Sequence, residues 1–107
     1  MIFSINSDTL PAGSNVIELG CAEGVQLVDI ARMHEIKATG VEVSPEMVDA
    51  ARSTIYAQGM SGRIEVVEAD MLTYPANQQY EGVIATSLLH WIIPHGEQEI
   101  SKLFDKF

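Results

Sequence analysis

Residues 16–24 read VIELGCAEG. The run Val16 to Leu19 has the composition of a buried strand, yet it contains a carboxylate, Glu18, and leads into a turn punctuated by Gly20 and Gly24. Short, apolar, β-branched segments that stop at glycine read as strands, which places a first strand over Asn15–Gly20. The next residues put Val25, Leu27, Val28, Ile30, Ala31 and His34 at near-helical spacing and predict a helix from about Ala22 to His34. A strand followed by a glycine turn and a helix usually presents backbone N–H groups to a nucleotide phosphate. An acid at this point argues against a phosphate guest.

Outward from that stretch the pattern repeats. Lys37–Val43 (KATGVEV) is a second strand. It is followed by strong helix punctuation: Ser44 as N-cap, Pro45 at the first helical position, Glu46 in the first turn and Gly59 past the end. Met47, Ala50, Ala51, Thr54 and Ile55 are the expected apolar stripe of this helix. Arg63–Ala69 is a third strand, with Asp70 directly after it. MLTYPANQQY is a loop, and Glu81–Leu89 is a fourth strand running into a loop. Ile100, Leu103, Phe104 and Phe107 then fall at i, i+3, i+4 and i+7 and predict an amphipathic last helix. Strands alternating with helices imply an α/β fold with a parallel sheet and right-handed crossovers.

Composition narrows the function. The 107 residues suit one domain, and a hydrophobic content of 47% is enough for a core. Six basic against fifteen acidic side chains leave a formal charge of −9. Such a surface repels phosphate backbones and anionic lipid heads, so neither a nucleic-acid nor a membrane partner is expected. A single cysteine, Cys21, permits no internal disulfide and suits a reducing, cytoplasmic setting. The first ten residues have neither a basic n-region nor a long apolar h-region, so no secretory signal is read there. His34 and His95 have no metal-ligand spacing with Cys or Asp, and no metal site is expected.

In open parallel sheets ligands bind at the carboxyl ends of the strands. This sequence gathers Glu18, Gly20, Cys21, Ala22 and Gly24 at the end of strand one and Glu42 at the end of strand two. Asp70 ends strand three, and Thr86, Ser87, His90 and Trp91 follow strand four. The dinucleotide fingerprint G-x-G-x-x-G/A fails at two of its three positions, because Ala22 and Val25 replace the second and third small residues. S-adenosylmethionine carries an ammonium and a sulfonium and no phosphate, which suits the acid.

VIELGCAEG resembles motif I of the class I S-adenosylmethionine-dependent methyltransferases. GVEVSPEMVDAAR resembles their second-strand acidic motif and helix, IEVVEADM their third-strand motif, and YEGVIATSLLHWI their fourth strand with its active-site loop. The LLHW segment is similar to small-acid methyltransferases of the trans-aconitate type. The resemblance runs from about Pro11 to Ile93 and implies a three-layer Rossmann-like sandwich with strand order 3-2-1-4.

The resemblance also implies roles. Glu18 would face the methionine ammonium. The backbone through Gly20, Cys21, Ala22 and Gly24 would pass close to the cofactor. Glu42 would accept from both ribose hydroxyls, with Val43 beside it in the cofactor site. Asp70 would accept from the adenine amino group, and the Met71 N–H would serve a ring nitrogen. Ser87 would lie near the methionine portion. His90 is the candidate catalytic residue, to orient a substrate acid or take a proton; a buried, hydrogen-bonded histidine is the alternative. Ala22 departs from the family, which usually has glycine there. A carboxylate after a strand also serves simply as a turn cap, and that reading stays open for Glu42 and Asp70.

The expected activity is methyl transfer to a small-molecule acceptor by in-line displacement, leaving S-adenosylhomocysteine. The alternatives are a cofactor-binding unit without activity, or a Rossmann-like nucleotide binder of another class. The family usually has later strands, ordered 5, 7 and 6 beyond the fourth, so the chain reads as one partial domain over residues 1–107. The apolar fourth strand would then be an edge, and self-association through it or the last helix is expected.

Overall fold

The computed structural model describes residues 12–75 and 80–85. The described elements are β1 (Asn15–Leu19), α1 (Val25–Met33), β2 (Lys37–Glu42), α2 (Pro45–Ala57), β3 (Ile64–Glu68) and β4 (Gly82–Ile84). All strand pairs are parallel, in the order β3-β2-β1-β4. This is the expected Rossmann-like α/β topology. The last helix predicted from the sequence, and the part of the fourth strand beyond residue 85, lie outside the described residues.

Handedness places the helices. The chain steps in one direction from β1 to β2 to β3, so two right-handed crossovers put α1 and α2 on the same face of the sheet. There Val16, Leu27, Val28, Ala31, Ala38, Val48, Ala51, Ile55, Val66 and Ile84 form the larger core cluster. From β3 the chain reverses to the far side of β1, and described residues of the connection lie over the opposite face. On that face Tyr80 is buried with Ile17, Leu19 and Val41, and Met71 and Tyr74 pack against them. Reversal of strand order beside β1 opens the sheet edge at its carboxyl end, where ligands bind in this architecture.

The buried residues of α2 are Val48, Ala51 and Ile55, a true 3.6-residue stripe. Met47, expected on the core side, is 37% exposed, and Ala50 and Thr54 are half-buried flanks. Met47 and Val48 are separated by about 100° around the helix, and only Val48 faces the sheet. The Ser44 cap and Pro45 start are as predicted, with the Ser44 hydroxyl accepting from the Met47 N–H. In α1 the buried residues are Leu27, Val28 and Ala31, while Val25 is exposed.

Two tertiary contacts were not readable from local sequence. Arg63, just before β3, donates from its guanidinium to the carbonyls of Ala31, His34 and Ile36. It thereby satisfies acceptors at the end of α1 that the helix leaves unpaired. Gly40 sits in β2 beneath the turn after β1. A β-carbon there would fall 2.6 Å from the Cys21 sulfur and 2.7 Å from a Leu27 methyl. Gly40→Ala is therefore expected to cost about 1–3 kcal/mol through overpacking. Gly62→Ala, where nothing lies within 4 Å of the added carbon, should be near neutral, and chemical denaturation of the two variants checks the contrast.

Candidate cofactor site

β1 ends at Leu19 and α1 begins only at Val25, three residues later than the sequence suggested. The intervening turn alternates in handedness: φ is +73° at Gly20, +50° at Ala22 and +80° at Gly24. A residue in this region crowds its β-carbon against the following carbonyl, which glycine avoids. Gly24 is needed for a second reason, since a β-carbon on it would lie 3.2 Å from that of Ala51 in α2. Ala22 has the left-handed conformation without glycine's freedom. That explains physically why glycine is usual at this position in the family that the sequence resembles.

Four N–H groups of this turn are already engaged. Those of Gly20 and Cys21 donate to the Val41 carbonyl at 2.8 and 3.2 Å, and that of Gly24 to the Cys21 carbonyl at 3.0 Å. The Ala22 N–H donates to Glu42 Oε1 at 2.8 Å. A pyrophosphate needs such donors pointing outward. Here they point inward, and one is already held by an acid.

Glu42 ends β2 and ties three segments together. Besides Ala22, it accepts from the N–H groups of Val43 and Ser44, both at Oε2 and both at 3.1 Å. The turn-cap reading of Glu42 thus holds, and the same carboxylate lines a hollow. That hollow, about 240 Å³, lies between the ends of β1, β2 and β3, and its wall includes Gly20, Glu42, Val43, Asp70, Met71 and Leu72. Asp70 is exposed, and its Oδ1 accepts from the Leu72 N–H at 2.9 Å.

A second hollow of about 290 Å³ lies on the other side of Gly20, bounded by Glu18, Cys21, Ala22, Glu23, Val25 and Gln26. Glu18 is only 2% exposed, and its Oε1 has no hydrogen-bond partner among the described residues. Burial, reinforced by the charge of Glu42, pushes its carboxyl up to about 8. Burial and the two glutamates likewise push the Cys21 thiol up to about 12, so it stays protonated at neutral pH and acts as a small packing group.

The structure therefore brings together Glu18, Gly20, Cys21, Ala22, Glu42, Val43, Asp70 and Met71 as two adjoining hollows that share Gly20, with Gly24 buried where the turn enters α1. Ser87 and His90 lie outside the described residues. Val25, Gln26, Val41, Ala69 and Leu72 were missed as lining residues, and only proximity to the turn and to the ends of β2 and β3 pointed to them. Among the described residues no group of three or more His, Cys, Asp or Glu is placed to hold a metal, and no helix is long and apolar enough to cross a membrane.

The model of the methyltransferase domain family matches residues 16–106. An O-methyltransferase of Pyrenophora dematioidea is 31% identical over 80 residues, covering 73% of this chain and 30% of that protein. Ajmaline N-methyltransferase of Rauvolfia serpentina is 30% identical over 61 residues, covering 57% of this chain and 21% of that protein. A solved structure of an S-adenosylmethionine-dependent methyltransferase from Thiobacillus denitrificans, in complex with S-adenosyl-L-homocysteine, superposes with a TM-score of 0.78 at 25% identity, covering 91% of this chain and 38% of that one. The chain belongs to the methyltransferase domain family, in its class I, S-adenosylmethionine-dependent branch. It spans less than two fifths of the length of each of these relatives.

Two outcomes are expected. Ala22→Gly should raise stability by a few tenths to about 1 kcal/mol, the relieved left-handed strain outweighing glycine's greater unfolded-state entropy; thermal melting measures it. Glu18 binds its proton more tightly in the folded chain than in the unfolded one. Its effect on ligand-free stability is therefore absent below about pH 4.5, grows as pH rises toward 8 and is complete above that. Glu18→Gln should remove this loss and be more stable than wild type at pH 8.5 by an amount on the order of a few kcal/mol. Melting both proteins from pH 5 to 9 tests this.

Proposed function

We propose that this chain binds S-adenosylmethionine across the two hollows and positions its methyl group for transfer to a small-molecule acceptor. The observation that carries the reading is the buried Glu18 carboxyl, with Oε1 unpartnered among the described residues, beside a turn in which the N–H groups of Gly20, Cys21, Ala22 and Gly24 are spent internally. Such a site offers acceptors and negative charge, and it suits a ligand that brings donors and positive charge without phosphate.

The residues fit that ligand by chemistry. Glu18 takes the ammonium. Glu42 takes a ribose hydroxyl at Oε1, which carries one of its three backbone bonds, while Oε2 carries the other two. Accepting both hydroxyls requires Glu42 to release a backbone N–H, since a carboxylate has about four acceptor positions. Asp70 takes the adenine amino group, with Met71 and Val43 beside it. The exposed Val43 and Leu72 and the half-buried Met71 give this hollow apolar edges suited to a purine ring.

When bound, the cofactor supplies a methyl carbon made electrophilic by its sulfonium. The contribution of the chain is orientation and exclusion of water, which lower the barrier by holding the reacting atoms in line. A carboxylate acceptor needs no general base at neutral pH, so His90 has an orienting role in this reading. Relatives named as O- and as N-methyltransferases match at similar identity, so similarity does not select the atom methylated. The 107 residues form one cofactor-binding unit in this reading. Self-association along β4 belongs to it too, and native mass measurement reads it directly.

Titration with S-adenosylhomocysteine tests the proposal. Micromolar binding is expected, weakened about tenfold or more by Asp70→Ala and by Glu42→Ala, in line with loss of a hydrogen bond to a charged group. Unchanged affinity in both variants would refute the site. Transfer of labelled methyl groups that depends on an added acceptor separates an enzyme from a unit that only binds.

A further inference from the structure

The same glutamate that suits a cationic guest is poorly placed to be charged without one. Glu18 lies inside β1, paired in register with Gly40 of β2 and Ile84 of β4, neither of which has a polar side chain. From the turn, Cys21 and Glu23 share its hollow, and α1 contributes only Val25 and Gln26. From β2, Glu42 adds a like charge. No lysine or arginine lines either hollow among the described residues. A carboxylate taken out of water, with one oxygen unpartnered and an acid as its neighbour, keeps its proton instead.

We propose that Glu18 makes cofactor binding proton-linked: the protonated acid of the ligand-free site ionises to solvent as the ligand's ammonium docks against it. This rests on the cofactor reading above and extends it. The step balances, because the ammonium arrives already charged, the carboxyl O–H bond breaks and one proton leaves to buffer. Burial has raised the acid to about 8, so near pH 7 most ligand-free molecules hold that proton. Once the ammonium supplies the missing opposite charge, ionisation is favoured and the unpartnered oxygen gains a donor. Cys21 stays protonated in both states.

The linkage also gives the site a means of selection. A nucleoside thioether without the amino-acid tail can fill the Glu42 and Asp70 hollow but leaves Glu18 protonated. Its binding should be indifferent to pH where that of the full ligand is not. The pH dependence thus separates the two halves of the site.

Calorimetric titration of the full chain with S-adenosylhomocysteine, at pH 7 in phosphate and in Tris, reads the proton through the difference in observed heat. Release close to one proton per ligand is expected. Affinity should tighten by nearly tenfold per pH unit from pH 6 to 7.5 and level off above 8. Methylthioadenosine, which lacks the ammonium, should bind with buffer-independent heat. Glu18→Gln should bind S-adenosylhomocysteine without proton release, and the wild-type pH series gives the answer even if that variant fails to fold. Binding of S-adenosylhomocysteine with buffer-independent heat and flat affinity would overturn the linkage while leaving the cofactor reading intact. Equal proton release with methylthioadenosine would overturn the assignment to Glu18. No binding of either nucleoside would overturn both.

Discussion

The Glu42 carboxylate holds the site in shape. It stands at the end of β2 and accepts from Ala22 in the turn after β1 and from Val43 and Ser44 ahead of α2. Each of those N–H groups lies where regular structure ends and the backbone has no ladder partner. One side chain satisfies all three. Through it the turn carrying Gly20 is locked to the neighbouring strand, and the two hollows keep their separation.

Glu18 is the opposite kind of acid. Glu42 has partners and organises the backbone, whereas Glu18 is buried with an oxygen left over among the described residues. Unsatisfied buried polar groups are costly and uncommon in folded proteins, so one beside a ligand-sized hollow points to function more strongly than to packing. The two carboxylates are also coupled. The charge that makes Glu42 a good anchor helps to keep the proton on Glu18. The anchor and the proposed receptor therefore depend on the same local electrostatics.

The inward use of the turn's N–H groups separates this site from the phosphate-binding sites of similar strand-turn-helix units. In such sites the turn donates to the ligand. Here the turn donates to the neighbouring strand β2, to itself and to Glu42, and the hollows beside it are lined by acceptors instead. The fold is shared across many chemistries, and the direction of these hydrogen bonds is what sets this turn apart.

Much of this was legible along the chain. Ser44 and Pro45 announced α2, apolar β-branched runs announced the strands, and the alternation of elements announced a parallel sheet. Those signals are local, because capping and periodicity act within a few residues. The acids were legible as well, since each stands at the end of a strand. What only the tertiary structure decided depended on residues distant in sequence. Val48 rather than Met47 faces the core because the sheet lies on that side of α2. Arg63 caps α1 from about thirty residues away. Gly40 lacks a side chain because Cys21 and Leu27 occupy its space. Glu18 and Glu42 differ because one is enclosed with Oε1 unpartnered among the described residues while the other meets three donors, a difference set by long-range packing and not by the residue type they share.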